Sequence, residues 1–288
     1  MIVYLNGQFI DQQEAKVSVN DRGFIFGDGV YEVIRIINGR QFQARPHLER
    51  LKEGLELLQI EFEDSRIEEL PEIGAHLLQK NDLLEGEATI YLQITRGTAD
   101  RTHEFPDPPV EPTVFLSAKR ITPAHELHQA GASAITIPDV RWTRCNIKSV
   151  NLLPNVLAKQ RAKEAGAFSS IMIRDGVVTE GQNANVFCVN DGVLYTYPRS
   201  NYILAGITRD VVFKMAAELD IEVREHPVSE DQLYDMDEVF LSGTTTDIQG
   251  ITEIDGITIG EGIPGPVTLK LVDQLRSEME ALTEKEPG

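Results

Sequence analysis

Lys148 stands in the stretch Arg141-Trp142-Thr143-Arg144-Cys145-Asn146-Ile147-Lys148-Ser149, at what reads as the end of a strand and just before a helix-like run. An amine half-shielded from water has a depressed pKa and becomes a nucleophile toward carbonyl compounds, which suits it to Schiff-base chemistry. Taken alone, an ordinary surface or ion-paired lysine explains it better. Glu180, in Val178-Thr179-Glu180-Gly181-Gln182-Asn183-Ala184-Asn185, reads as part of a special turn flanked by β-rich runs. Such a carboxylate suits holding a proton on a ring nitrogen, though taken alone a solvated turn glutamate explains it better. Leu204-Ala205-Gly206-Ile207-Thr208 feeds the start of a helix, where backbone N–H groups and the dipole favour an anion and Thr208 adds a hydroxyl. A plain helix cap fits the same letters. Ser242-Gly243-Thr244-Thr245-Thr246 could form a second backbone cradle for a phosphate or a polar loop. Arg50 is an anion contact or a surface charge. Arg101 and His103, two residues apart in a polar loop, offer a fork and a donor for a carboxylate. Tyr31 offers a phenol, or is a core tyrosine with a wet end.

These residues need a frame. Ile2–Leu5 and Gln8–Ile10 around Asn6-Gly7 read as a hairpin. Three glycines within Gly23–Gly29 imply a tight turn before a strand from Val30 to Ile37. Pro46 opens a helix whose Leu48, Leu51, Leu55 and Leu58 recur at helical spacing. A second helix is expected over 66–80. Ala88, Ile90, Leu92 and Ile94 alternate as in a half-buried strand over 87–95, and a strand follows over 113–118. The pattern breaks at 119–125, which reads as a linker between a domain at 1–118 and another at 126–288 that carries Lys148. The later part reads as strands around Asp175-Gly176, Asp191-Gly192 and Asp255-Gly256, with helices over 152–165, 207–219 and 267–282.

Composition narrows the class. The chain has 288 residues, 41% of them hydrophobic, enough for two cored domains. Its 27 basic and 46 acidic side chains give a net charge of −19, which disfavours nucleic acid or an anionic membrane as partner. Cys145 and Cys188 are too few for a disulfide framework and read as buried thiols in strand-like runs. The six histidines show no metal-ligand spacing. No P-loop or dinucleotide fingerprint appears, and no membrane span or signal peptide is seen, so cytoplasm is the expected location.

In order and spacing, Asp21-Arg22-Gly23…Phe26-Gly27-Asp28-Gly29-Val30-Tyr31-Glu32, His47-Leu48-Glu49-Arg50-Leu51, Lys148-Ser149…Asn151-Leu152-Leu153, Thr179-Glu180-Gly181…Asn185-Val186-Phe187 and Gly206-Ile207-Thr208-Arg209 together resemble the class IV (fold type IV) pyridoxal-phosphate aminotransferases over nearly the whole chain. The resemblance implies an α+β fold with a small α/β N-terminal domain, a larger pseudo-barrel C-terminal domain, a site at their junction and a homodimer. It implies that Lys148 forms the Schiff base with pyridoxal 5'-phosphate and shuttles the substrate proton, and that Glu180 pairs with the ring nitrogen. Arg50, Ile207, Thr208 and Thr244 would hold the phosphate, and Leu204 would pack on the ring. The stretch 96–106 looks like the loop with which the D-amino acid enzymes of the family capture the substrate carboxylate through Arg101, His103 and Tyr31, the loop serving the neighbouring subunit. The expectation is therefore amino transfer from a D-amino acid, D-alanine foremost, to 2-oxoglutarate. The alternatives are a branched-chain L-amino acid aminotransferase, an aminodeoxychorismate lyase and a non-catalytic cofactor-binding protein. One departure stands out: Gln182-Asn183-Ala184 occupy positions where the D-specific enzymes carry serines.

Overall fold

The computed structural model describes residues 1–122 and 125–284. The chain divides into two compact units, one of Met1–Pro123, Ile147–Asn151 and Glu280–Gly288, the other of Ala124–Asn146 and Leu152–Met279.

The first unit contains strands β1 (Ile2–Leu5), β2 (Gln8–Asp11), β3 (Gly29–Ile37), β4 (Arg40–Phe42), β5 (Glu87–Thr95) and β6 (Thr113–Arg120), with helices α1 (Arg22–Phe26), α2 (Ala44–Leu57) and α3 (Asp64–Lys80). The strands form one antiparallel sheet in the order β2-β1-β6-β5-β3-β4. The alternation seen in β5 is what the sheet uses: Ala88, Ile90, Leu92 and Ile94 are buried and pack with Leu51 and Leu55 of α2 and Leu70, Leu77 and Leu78 of α3. Each large aliphatic side chain among them contributes roughly 1.5–3 kcal/mol of burial. The glycine-rich segment holds a short helix rather than a bare turn. Asp21 caps it by accepting from Gly23 N, and Gly27 closes it in the left-handed region at φ 68°.

The second unit contains α4 (His125–Ala130), β7 (Ala132–Pro138), α5 (Leu153–Glu164), β8 (Ser169–Arg174), β9 (Val177–Gly181), β10 (Asn185–Asn190), β11 (Val193–Thr196), α6 (Ile207–Glu218), β12 (Val223–Glu225), α7 (Glu230–Leu233), β13 (Glu238–Gly243), β14 (Asp247–Ile254), β15 (Ile257–Thr258) and α8 (Pro266–Glu284). Its sheet runs β12-β11-β10-β13-β14-β7-β8-β9. A further pairing of β9 with β10, at Glu180↔Asn185, closes six of these strands on themselves, which is the expected pseudo-barrel. Val186, Cys188, Val239, Leu241, Ile171 and Ile251 fill its core.

Four expectations meet a different structure. Lys148 is not at a strand end: residues 145–151 form no regular element, and a single bridge joins Ser149 to Val30. That bridge and its neighbouring bonds group Ile147–Asn151 with the first unit, not with the C-terminal part assigned from sequence. Cys145 likewise sits in a turn, although it is buried as expected. Of the stretch 119–125, residues 119 and 120 belong to β6 and residues 123 and 124 lie outside the described residues.

Candidate active site

In the first unit the Lys148 stretch is stapled along the start of β3. Tyr31 N donates to Lys148 O (3.0 Å), Val150 N donates to Gly29 O (3.1 Å), and Ile147 is buried in the core. The Lys148 amine lies 4.3 Å from the centre of the Tyr31 ring, a cation–π distance. That ring in turn stacks on Tyr91 at 5.7 Å. The bonds to β3 thus hold the Lys148 amine beside the Tyr31 ring.

Glu32, the next residue on β3, is fully buried and faces α2. Arg50 grips it with both arms, Nε to Oε1 at 2.7 Å and Nη2 to Oε2 at 2.8 Å, and His47 Nδ1 lies 2.7 Å from Oε2. His47 and Arg50 are three apart, so one helix face carries both. Burial pushes the Glu32 carboxyl up, but Arg50, the His47 hydrogen bond and the Lys148 charge outweigh it and bring it to about 2. Burial pushes His47 below the ordinary histidine range, against the pull of Glu32. Glu32 and His47 entered the sequence reading only as motif letters; their partnership with Arg50 becomes visible when β3 and α2 are packed.

The Arg101/His103 loop is held at several points. Arg22, itself buried, donates from Nε to Asp28 (2.9 Å) and from Nη1 to the carbonyl of Thr102 (2.8 Å), the residue between Arg101 and His103. The Phe26 ring lies 5.4 Å from the Arg101 guanidinium and 5.8 Å from the His103 ring. Arg96 pairs with Asp28, caps the carbonyls of Leu58 and Gln59, and lies 3.7 Å over Phe105. Arg101 and His103 stay exposed on this anchored loop.

In the second unit, Glu180 lies on β9 and is buried. Its Oε2 accepts from Leu204 N (3.0 Å) and Asn185 Nδ2 (3.2 Å), and its Oε1 accepts from Arg141 Nη1. Burial pushes the Glu180 carboxyl up, while Arg141 and the Leu204 amide pull against it. Asn185 also donates to Leu204 O (2.9 Å), fixing the approach to α6. A Cβ on Gly206 would come within 2.1 Å of Asn185 Oδ1, so this position has no room for a side chain. Gly206 is the N-cap of α6 and supplies no side-chain acceptor to its first turn, where Ile207 and Thr208 sit. Thr244 lies in the turn joining β13 to β14, and beside it Ser242 Oγ is buried with no hydrogen-bond partner. Gln182, at a position where a serine was expected, is buried and turned to β8: its Oε1 accepts from Ser169 Oγ, Ser170 N and Ser170 Oγ at 2.9, 2.7 and 2.8 Å. Arg141, Asp139 and Asn185 carried no role in the sequence reading. Arg141 and Glu180 are 39 positions apart, so no local signal in the chain joins them.

Each unit by itself carries groups whose chemistry suits pyridoxal 5'-phosphate. The first has an amine beside an aromatic ring; the second has a buried carboxylate for a ring N–H, and a helix start without a side-chain cap as well as an orphaned hydroxyl for a phosphate.

The sequence profile described as "Amino-transferase class IV" matches residues 29–254. The D-alanine aminotransferase of Staphylococcus aureus (strain N315) is 40% identical over 279 residues, covering 97% of this chain and 98% of its own. Among solved structures, the branched-chain amino acid aminotransferase of Escherichia coli superposes with a TM-score of 0.89 at 31% identity, covering 100% of this chain and 97% of that one. The branched-chain aminotransferase of the archaeon Thermoproteus uzoniensis, solved with norvaline, does so with a TM-score of 0.87 at 29% identity, covering 99% and 96%. With a buried carboxylate on a closed barrel, an amine stapled beside a tyrosine and this match along its length, the chain belongs to the class IV aminotransferases.

Proposed function

We propose that this aminotransferase moves the amino group of a D-amino acid, D-alanine foremost, to a 2-oxo acid such as 2-oxoglutarate, with pyridoxal 5'-phosphate as cofactor. The observation that carries the reading is the 40% identity to a D-alanine aminotransferase along 97% of the chain. When bound, pyridoxal phosphate supplies a carbonyl for amines and a ring that accepts the electron pair released at the substrate Cα.

The chain's own residues do the rest. Lys148 Nζ would hold the cofactor through its carbonyl carbon and, once free, would act as the base that moves the substrate Cα proton. The Tyr31 ring lies beside that amine at a cation–π distance. Glu180 would accept the ring N–H, and its three fixed partners, Leu204 N, Asn185 and Arg141, keep it aimed. The first turn of α6 with Ile207 and Thr208, Thr244 and Arg50 would hold the phosphate, and Leu204 would pack against the ring. Arg50 would do so while its fork is engaged with Glu32, which makes it an electrostatic and orienting contact. Arg101, His103 and Tyr31 bind the α-carboxylate and so decide which face of Cα meets Lys148. The functional form is a homodimer in the cytoplasm, with the Arg101/His103 loop serving the neighbouring subunit.

A second reading, a branched-chain L-amino acid aminotransferase, is favoured by the solved branched-chain enzymes that superpose on this fold. Purified enzyme assayed with D-alanine and L-leucine side by side separates the two. Ping-pong initial-rate patterns are expected with either.

A further inference from the structure

Behind Glu180 lies a buried chain of charges. Asp139, with no exposed side-chain surface, accepts from Arg141 Nε and Nη2, both at 2.8 Å, and from Arg141 N at 3.1 Å. Thr179 Oγ1 donates to Asp139 Oδ2 (3.0 Å), and Arg174 Nη2 lies 3.1 Å from Oδ1. Arg141 Nη2 also reaches the Tyr202 carbonyl (3.2 Å). Nε and Nη2 of the Arg141 guanidinium are thereby engaged, and the remaining arm, Nη1, donates to Glu180.

We propose that Arg141, locked by Asp139, is a positioning residue that keeps Glu180 ionised and aimed as the acceptor for the cofactor's ring N–H. The proposal rests on the pyridoxal phosphate reading above. Two physical points carry it. A carboxylate this deeply buried takes up a proton unless a cation holds its charge. A lone arginine would neutralise it and leave no charge for the ring; here Asp139 shares that cation, so Glu180 keeps charge in reserve for a second N–H donor. On Glu180 itself burial is the larger influence and pushes the carboxyl up, with Arg141 the main pull against it. Asp139 is in turn held low, its burial outweighed by Arg141 and Arg174. Arg141 acts through Glu180 and is given no contact with substrate.

The test uses the full-length protein and three variants, Arg141→Met, Arg141→Lys and Glu180→Gln. Each is stripped of cofactor and titrated with pyridoxal 5'-phosphate, and the visible spectrum of the loaded form is followed from about pH 5 to about pH 9, the range in which proteins generally stay folded. Arg141→Met is expected to bind the cofactor roughly 10- to 100-fold more weakly, with a visible band that titrates at higher pH than in the natural protein. The sign follows from Glu180: without the cation it binds a proton more readily, so it stays protonated to a higher pH. Arg141→Lys should recover most of the affinity and move the titration part of the way back. Glu180→Gln should abolish that titration altogether. If Arg141→Met fails to fold, Arg141→Lys alone must still show a titration displaced upward. A folded Arg141 variant with the natural affinity and a pH profile unchanged from the natural protein overturns the proposal. Failure of the natural protein to take up pyridoxal phosphate at all overturns the reading beneath it and the proposal together. The two failures are told apart by the unsubstituted control.

Discussion

At the scale of the residue, the site depends on where single atoms are held. Lys148 lies on no regular element, so its position comes from two backbone bonds to β3 and from buried Ile147. Borohydride reduction of the loaded protein followed by peptide mass mapping should find the cofactor on the Lys148 peptide. Lys148→Ala should lose that adduct and at least about 100-fold in kcat, and an adduct on any other lysine contradicts the assignment. Arg101→Ala should raise KM for D-alanine roughly 10- to 100-fold, the range for a lost charged hydrogen bond, while leaving cofactor affinity alone. Phe26→Ala should move KM the same way by a smaller factor, because the ring that lies against both Arg101 and His103 is gone. An unchanged KM in both variants removes this loop from the substrate's carboxylate. Lys148, Glu180 and the Arg101/His103 pair were singled out by the family resemblance, since the local setting of each fits a plainer reading as well. Arg141 and Glu32 were not, since each acquires its meaning from a partner on another element, 39 positions away for Arg141–Glu180 and 18 for Glu32–Arg50.

At the scale of the element, β3 and α2 are joined by one buried ion pair with a histidine, and this has a pH signature. Glu32 has its folded pKa depressed to about 2 from 4.5. A depressed carboxylate stabilises the fold fully above its unfolded value and loses that contribution as pH falls through the window from 4.5 towards 2. The contribution at neutral pH is on the order of 3 kcal/mol. The denaturation midpoints of natural protein and Glu32→Gln should therefore differ clearly at neutral pH and converge as pH drops below 4.5. A gap that stays constant with pH contradicts the ion pair as its source. On α6, Gly206→Ala should weaken cofactor binding, because the added methyl displaces Asn185, which is bonded to both Glu180 and Leu204. Unchanged affinity in that variant argues against the α6 start as the phosphate seat. Long elements with a clear period were readable: β5 is found over the residues that alternate, and α2 buries Leu51 and Leu55 of the leucines at helical spacing. The short elements α4, α7 and β12 were not, because so few residues hold too few turns or alternations to stand out from loop.

At the scale of the whole molecule, the closed sheet of the second unit is a long-range fact. The Glu180↔Asn185 pairing that closes it joins strands adjacent in sequence, but the ring also needs β7 between β8 and β14, a parallel arrangement with no local signature in the chain. The family resemblance supplied that topology where periodicity had none to give. No described helix is long and apolar enough to cross a membrane. A homodimer is expected from light scattering of the loaded protein at micromolar concentration, and a mass of one chain, 32.1 kDa, contradicts the shared-loop arrangement. The central claim is the hand of the substrate, and it is tested most directly by one assay. Purified protein loaded with pyridoxal 5'-phosphate is given 2-oxoglutarate with either D-alanine or L-leucine, and the new 2-oxo acid is measured. Turnover with D-alanine at a kcat/KM at least about 100-fold above that with L-leucine is the expected result. Turnover with L-leucine and none with D-alanine would contradict it and make the branched-chain reading the correct one.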